Sequence, residues 1–286
     1  MKRPHSAVFR TSPTIGEALA IDPGGGGLIA SVLAGGQPPA HAFGFSSPLP
    51  GPLVYNEEAL ADGIAILEIN GPIEHHDTGW WHSYEAVARE IDSALACESC
   101  KAVVLKIDSP GGVAAGMGET HRAIRRMQRK YDKKCYAFAD ELMASAAYNL
   151  GSACAEIWTT PEGHVGSVGV ILCTVDETKR LERDGIAIEY LVTGARKADL
   201  HPGTAVTDDV RAVAQAKVDK LGRHFFRAVA KARAHAGLDT PEAVEALQAG
   251  VFVGGDAVRA GLADGVASWA KFLSLVKAAT ADQRAA

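Results

Sequence analysis

The chain has 286 residues, 47% of them hydrophobic and 22% charged, with a formal net charge of −5. That length can bury the core of one large domain or two modest ones, and the acidic balance excludes a protein built on nonspecific nucleic-acid binding. No run of about 18 apolar residues occurs, so no segment reads as a membrane span.

Residues 1 to about 58 are rich in Gly, Pro, Ser and Ala, as in Pro23-Gly-Gly-Gly-Gly27 and Ser46-Ser-Pro-Leu-Pro-Gly51. Little here can offset the entropy of ordering, so an arm, 1–58, largely irregular unless a partner holds it, is expected. Met1-Lys-Arg is followed by Pro4, Arg10 and Pro13 where an export signal would be apolar. The five cysteines are an odd number, scattered through apparent helices and strands. Both features point to a reducing, cytoplasmic setting. Cys97-Glu-Ser-Cys100 has half of a zinc-site spacing, but no second pair follows, and it reads as a helix end.

Gly63-Ile-Ala-Ile-Leu-Glu-Ile69 reads as a strand ended by Asn70-Gly-Pro72. His75-His76-Asp77 lacks a metal-ligand spacing and reads as surface loop. Ser83 caps a helix whose apolar face is Val87, Ile91 and Leu95. Ala102 to Ile107 is a continuous apolar run, the mark of a strand covered on both faces. It leads into Asp108-Ser-Pro-Gly-Gly112 and a helix from about Met117 to Tyr131. The Gly-Gly turn is either a plain turn or a place where backbone N–H groups approach a ligand; it lacks the lysine of a phosphate loop. The basic cluster Arg122, Arg125, Arg126, Arg129, Lys130, Lys133 and Lys134 has no interleaved aromatics and reads as a solvated face.

Cys135 to Ala139 is the next strand, followed by a charged turn at Asp140-Glu141 and then Met143-Ala-Ser-Ala-Ala-Tyr148. Ser145 is either an N-cap serine or a nucleophile, its hydroxyl standing clear of small neighbours and the free N–H groups of a helix start beside it. Strands are expected at Glu156–Thr159, Val168–Cys173 and Ile188–Val192, with a helix from about Val175 to Arg183. Thr207 caps a long amphipathic helix running to about Gly237, and Thr240-Pro is a further cap with proline at the first helical position. Trp269 to Lys277 looks helical, with a frayed tail over 279–286. Alternating strands and helices make the folded part, 59–278, an α/β domain with mostly parallel pairing.

A serine nucleophile needs a base. The G-x-S-x-G elbow of Ser-His-Asp hydrolases is missing. His164 is one possible imidazole, and Lys197, among small residues after a strand, is a possible amine base if buried. Ser274-Leu-Val-Lys277 has S-x-x-K spacing but lies in a terminal helix with no companion motif.

Five segments in order resemble peptidase family S49, the signal peptide peptidase A proteins and the capsid-assembly proteases of tailed phages. They are Asp108-Ser-Pro-Gly-Gly112, Ala144-Ser-Ala-Ala-Tyr148, Gly166-Ser-Val-Gly-Val170, Thr193-Gly-Ala-Arg-Lys197 and Phe252 to Gly265. The resemblance implies a ClpP/crotonase-like α/β superhelix of repeated strand–helix units and a Ser-Lys dyad that cleaves polypeptide through an acyl-enzyme, with no cofactor and no metal. Carried over by position, Ser145 is the nucleophile, Lys197 the general base and Ser167 the hydroxyl that helps hold the lysine. The N–H groups of Gly112 and Ala146 form the oxyanion hole, and Gly111 and Val113 line the substrate groove. The family's rings make a homo-oligomer the expected assembly. Ala-Ala stands after the serine where many bacterial members have Gly-Gly. Two other readings, a crotonase-like acyl-CoA enzyme and a non-catalytic scaffold, have less use for the serine–lysine pair.

Overall fold

The computed structural model describes residues 18–21, 62–77 and 81–282. The first described strand, β1 (Ala18–Ile21), lies within the expected irregular arm and is paired on both sides, as set out below. The main sheet begins at β2 (Ile64–Asn70). Two short strands, β3 (Ile73–Glu74) and β4 (His82–Ser83), then lead to α1 (Tyr84–Ala96). Ser83 is its N-cap, accepting from the Ala86 N–H, and Cys97 is its C-cap.

Strand β5 (Ala102–Ser109) runs parallel to β2 in unbroken register from Ile64↔Ala102 to Asn70↔Asp108. Beyond it come β6 (Gly111–Val113) and α2 (Met117–Tyr131). Next, β7 (Lys134–Ala144) pairs in parallel with β5 and leads into α3 (Ala146–Ser152). This is three strand–helix units in succession on one parallel sheet. The near-continuous burial of β2 and β5 follows from cover on both faces. On one face Leu67, Val103, Leu105 and Ala137 meet Val87, Ile91, Ile124 and Tyr148 of α1 to α3. On the other, Ile66, Val104 and Phe138 meet Phe272 and Val276 of the closing helix.

Strand β7 is longer than its apolar run. Its first half pairs with β8 (Glu156–Thr159) and its second half, Leu142 to Ala144, with β9 (His164–Gly166). Asp140-Glu141 is therefore strand and not the expected turn. The strand bears a charge there because Lys106 of β5 reaches Asp140 at 2.9 Å.

The single strand expected over Val168–Cys173 is instead a break after β9 and a two-residue β10 (Ile171–Leu172). The helix expected from Val175 starts later, as α4 (Thr178–Arg183). No strand forms over Ile188–Val192: among the described residues nothing pairs with it, and Leu191 is 91% exposed. β-branched composition without a neighbour to supply a ladder does not make a strand.

Helix α5 (Asp208–Arg233) begins at the expected Thr207 cap, whose hydroxyl accepts from Val210 N–H, and stops short of Gly237 in a 3-10 turn over Ala234–Ala236. Helix α6 (Pro241–Glu245) has its Thr240 cap and Pro at the first position. The remaining elements are β11 (Val251–Val253), α7 (Gly255–Arg259), β12 (Gly265–Val266) and α8 (Trp269–Asp282), the last running into the stretch expected to fray. The large sheet has the order β11-β9-β7-β5-β2, with β8 and β12 beside the first half of β7. A smaller sheet has the order β10-β1-β6-β3-β4.

Candidate active site

Ser145 is the single residue between the end of β7 and the start of α3. Its backbone sits at φ 55°, ψ −118°, outside the regions an L-residue ordinarily occupies, and its side chain makes no capping bond to the helix. The capping role is thereby set aside. Such a conformation costs about 1–3 kcal/mol and persists only where the surroundings enforce it. Here Ser145 N–H donates to Gly166 O at 2.8 Å and Oγ donates to Gly169 O at 3.4 Å. The helix behind is fixed by the buried Tyr148, whose hydroxyl donates to Leu262 O at 3.1 Å. The first N–H groups of α3 have no acceptor within the helix. One expectation fails: the hydroxyl does not stand clear, because Ser145 is 0% exposed.

Across from Ser145 lies β6, against which α3 packs. Gly111, at φ 104°, donates its N–H to Ser109 Oγ at 3.2 Å, which turns the chain out of β5. Gly112 passes so close to β3 that a Cβ there would stand 1.8 Å from the Ile73 carbonyl oxygen. No other residue fits, and the close approach that requires glycine here is to the backbone of β3. Val113 O accepts from the buried Tyr84 hydroxyl at 2.7 Å. Residues 111–113 thus form a rigid strand beside the serine.

Ser167 is buried, at φ 53°, directly after β9, and its N–H donates to Gly250 O. Ser145, Ser167 and the Gly111–Val113 strand are gathered at one end of the parallel sheet. Lys197 is tied to that gathering by no bond among the described residues. It lies in an exposed turn, with its N–H bonded to Gly194 O and no side-chain hydrogen bond or ion pair among the described residues. His164 is likewise exposed, on β9 in register with Leu142 and Val253. His75 and His76 converge with Glu85 and not with the adjacent Asp77, their ligand atoms lying within 4.8 Å of one another.

Three features escape sequence reading. Arg233, 2% exposed, makes a two-pronged bond to Asp264 at 2.7 and 3.0 Å and donates Nε to Gly261 O. Asp264 also accepts from Ile157 N–H at 2.7 Å and so ties the closing segment to the sheet. Burial alone would raise the Asp264 pKa, but the Arg233 bonds and the Ile157 N–H outweigh it and hold the carboxyl below its usual value. Asp108 is the reverse case: burial, then the charges of Glu141 and Asp140, push its pKa up to about 6.

The third feature is a cleft of about 800 Å³ between α2 and α5. Arg122, Arg125, Arg126 and Arg129 form one wall, and His224, Arg227 and Lys231 the other. The expected solvated basic face therefore looks at a second basic face. Burial and the neighbouring Arg129 charge both push the Arg125 pKa down. At the floor, the His121 pKa is driven to about 4 by burial, with Nδ1 at 2.9 Å from Asn149 O, and the Asn149 side-chain amide has no hydrogen-bond partner among the described residues.

Comparison with known proteins comes to the same family as the motifs. The model of peptidase family S49 matches residues 127–283. The head-tail preconnector protein of Enterobacteria phage P21 is 30% identical over 81% of this chain and 43% of its own length. Capsid assembly protease C of Escherichia phage lambda is 27% identical over 75% of this chain and 48% of its own. This chain thus spans about half the length of these two phage relatives. A putative signal peptide peptidase from Enterococcus faecium is 27% identical over 73% of the chain and 62% of its own length. A solved ClpP1 mutant from Listeria monocytogenes aligns over 76% of this chain and 98% of its own, at 11% identity and a TM-score of 0.45. Among the described residues no helix is long and apolar enough to cross a membrane.

Proposed function

We propose that this chain, which belongs to peptidase family S49, is a serine endopeptidase that cuts polypeptide through an acyl-enzyme on Ser145, and that it serves in phage head assembly. The observation that carries the reading is the backbone of Ser145, forced out of the ordinary regions at the tip of a parallel strand and held there by Gly166 and Gly169. A structural cap needs no such strain; a nucleophile aimed at a groove does. The head-assembly role draws support from the names of the two phage relatives.

In the mechanism, Oγ attacks the substrate carbonyl carbon while the Lys197 amine takes its proton. The resulting oxyanion is met by the N–H groups of Gly112 and Ala146. The C–N bond then breaks, the leaving amine takes the proton from Lys197, and water repeats the cycle on the ester. Ser167 positions the amine. Since Lys197 is exposed in the single chain, a second copy supplies its cover and brings the amine to the serine.

The test is labelling with a fluorophosphonate probe, alongside casein cleavage, over a dilution series. Ser145→Ala and Lys197→Ala abolish both, His164→Ala leaves both intact, and specific activity falls on dilution as copies separate. Activity rises on the alkaline side, because the base works as the free amine. A fully active Lys197→Ala variant refutes the dyad.

A further inference from the structure

The small sheet contains a strand that comes from outside the catalytic segments. β6 and β10 stand on either side of Ser145: α3 packs on β6, and Gly169, just before β10, accepts the Ser145 hydroxyl. The two strands do not pair with each other. β1 fills the space between them, antiparallel to both, with Leu19↔Val113, Ala20↔Gly112 and Ile21↔Gly111 on one side and Ala18↔Leu172 and Leu19↔Ile171 on the other. An extended segment joined by its backbone to two open edges is the way a groove holds a peptide by strand addition.

We propose that β1 occupies the substrate groove as the chain's own first substrate, and that the bond cut is Ala20–Ile21. The proposal rests on the serine-peptidase reading above. The bond is assigned by register: Ala20 stands opposite Gly112, whose N–H is one of the two oxyanion donors. Ser145 Oγ adds to the Ala20 carbonyl carbon and its proton passes to the Lys197 amine. The Ala20–Ile21 C–N bond breaks, and the Ile21 nitrogen leaves with that proton as the new amino terminus. Water then hydrolyses the Ala20 ester, giving a free carboxylate on residues 1–20 and regenerating the serine. Cleavage leaves each half of the strand with fewer pairings, so the groove opens to other polypeptides. The uncut chain is the closed form, and its first turnover is the activating one.

Incubation of the full-length protein, followed by intact mass and mapping of new termini, tests this directly. The wild type converts to a chain beginning at Ile21, and Ser145→Ala stays whole. In the full chain, Leu19→Pro removes an N–H from a residue paired on both sides and dislodges the strand. That variant self-cleaves roughly 10-fold more slowly, while its Ser145 takes up fluorophosphonate several-fold faster than in the uncut wild type. A wild type that stays whole, or is cut outside residues 18–22, while still cleaving casein overturns this proposal and leaves the peptidase reading standing. Equal labelling rates for uncut wild type and Leu19→Pro also overturn it. If Ser145 neither labels nor cleaves casein in any of these proteins, both readings fall together.

Discussion

Arg233→Met tests whether the nucleophile's helix is held from behind by the Arg233–Asp264 pair. Arg233 is 2% exposed on its side chain and Asp264 19%, so the variant leaves a largely buried carboxylate with only Ile157 N–H and the exposed His235 Nε2, at 3.0 Å, and leaves Gly261 O without its donor. Removing one partner of a buried pair costs about 3–5 kcal/mol, and the residual exposure of Asp264 places this case at about 3. For a domain of this size that is a fall in Tm of roughly 6–12 °C. The pH dependence follows from the sign of the Asp264 shift. Its pKa lies below 3.8 in the folded state, so its contribution is present above that value and is lost as pH falls through the folded pKa. The gap between wild type and variant is therefore largest at pH 7 and closes in acid. Arg233→Met with Asp264→Asn recovers about half of the loss, since the amide oxygen still accepts from Ile157 N–H. Urea unfolding at pH 7 and at acid pH measures all of this. A loss under about 1 kcal/mol at pH 7, or one undiminished in acid, refutes the account. Through Leu262 the same network reaches Tyr148, so Arg233→Met also slows fluorophosphonate labelling of Ser145.

Gly112→Ala drives a methyl group to 1.8 Å from the Ile73 oxygen, and backbone cannot yield as a side chain can. It lowers stability by about 1–3 kcal/mol and removes labelling of Ser145, as unfolding and probe assays show. Asp108→Asn is stabilising at pH 8 and neutral at pH 4. With its pKa raised to about 6, the native carboxyl favours folding below 3.8 and loses that contribution as pH rises through 6, whereas the amide has no charge to lose. After allowance for its partial exposure the gain at pH 8 is about 1 kcal/mol, read from unfolding curves at the two pH values. Thr207→Ala removes the acceptor of Val210 N–H and costs about 1 kcal/mol by the same measurement.

Strands over 64–69 and 102–107 are legible because parallel strands covered on both faces are continuous apolar runs. The caps at Ser83, Thr207 and Thr240 are legible because a cap is a bond between near neighbours in sequence. Ile188–Val192 misleads for the opposite reason: strand propensity has no effect without a partner edge, which the sequence does not display. Asp140 and Glu141 look like a turn until Lys106 from another strand is placed beside them. The gathering of Ser145, Ser167 and Gly111–Val113 was readable from motif resemblance, since the geometry joins distant segments. The pairing of Ala18–Ile21 with β6 and β10 and the Arg233–Asp264 lock depend on contacts across the chain and carry no local signal. Lys197 is legible as a candidate from its small neighbours and its motif position; its exposed setting belongs to the three-dimensional chain.

The row of four arginines on α2, facing Arg227 and Lys231 on α5, makes dissolved salt a structural variable. Of the cationic side chains there, Arg122, Arg125, Arg126, Arg129, Arg227 and Lys231 have no ion-pair partner among the described residues. Repulsion across the gap opposes closure of the two helices, and counter-ions drawn into it relieve that opposition. Added electrolyte also screens exposed ion pairs such as Arg196–Asp209; sulfate, with two charges to share between opposite walls of the cleft, offsets that loss and raises the melting temperature more than chloride at equal ionic strength.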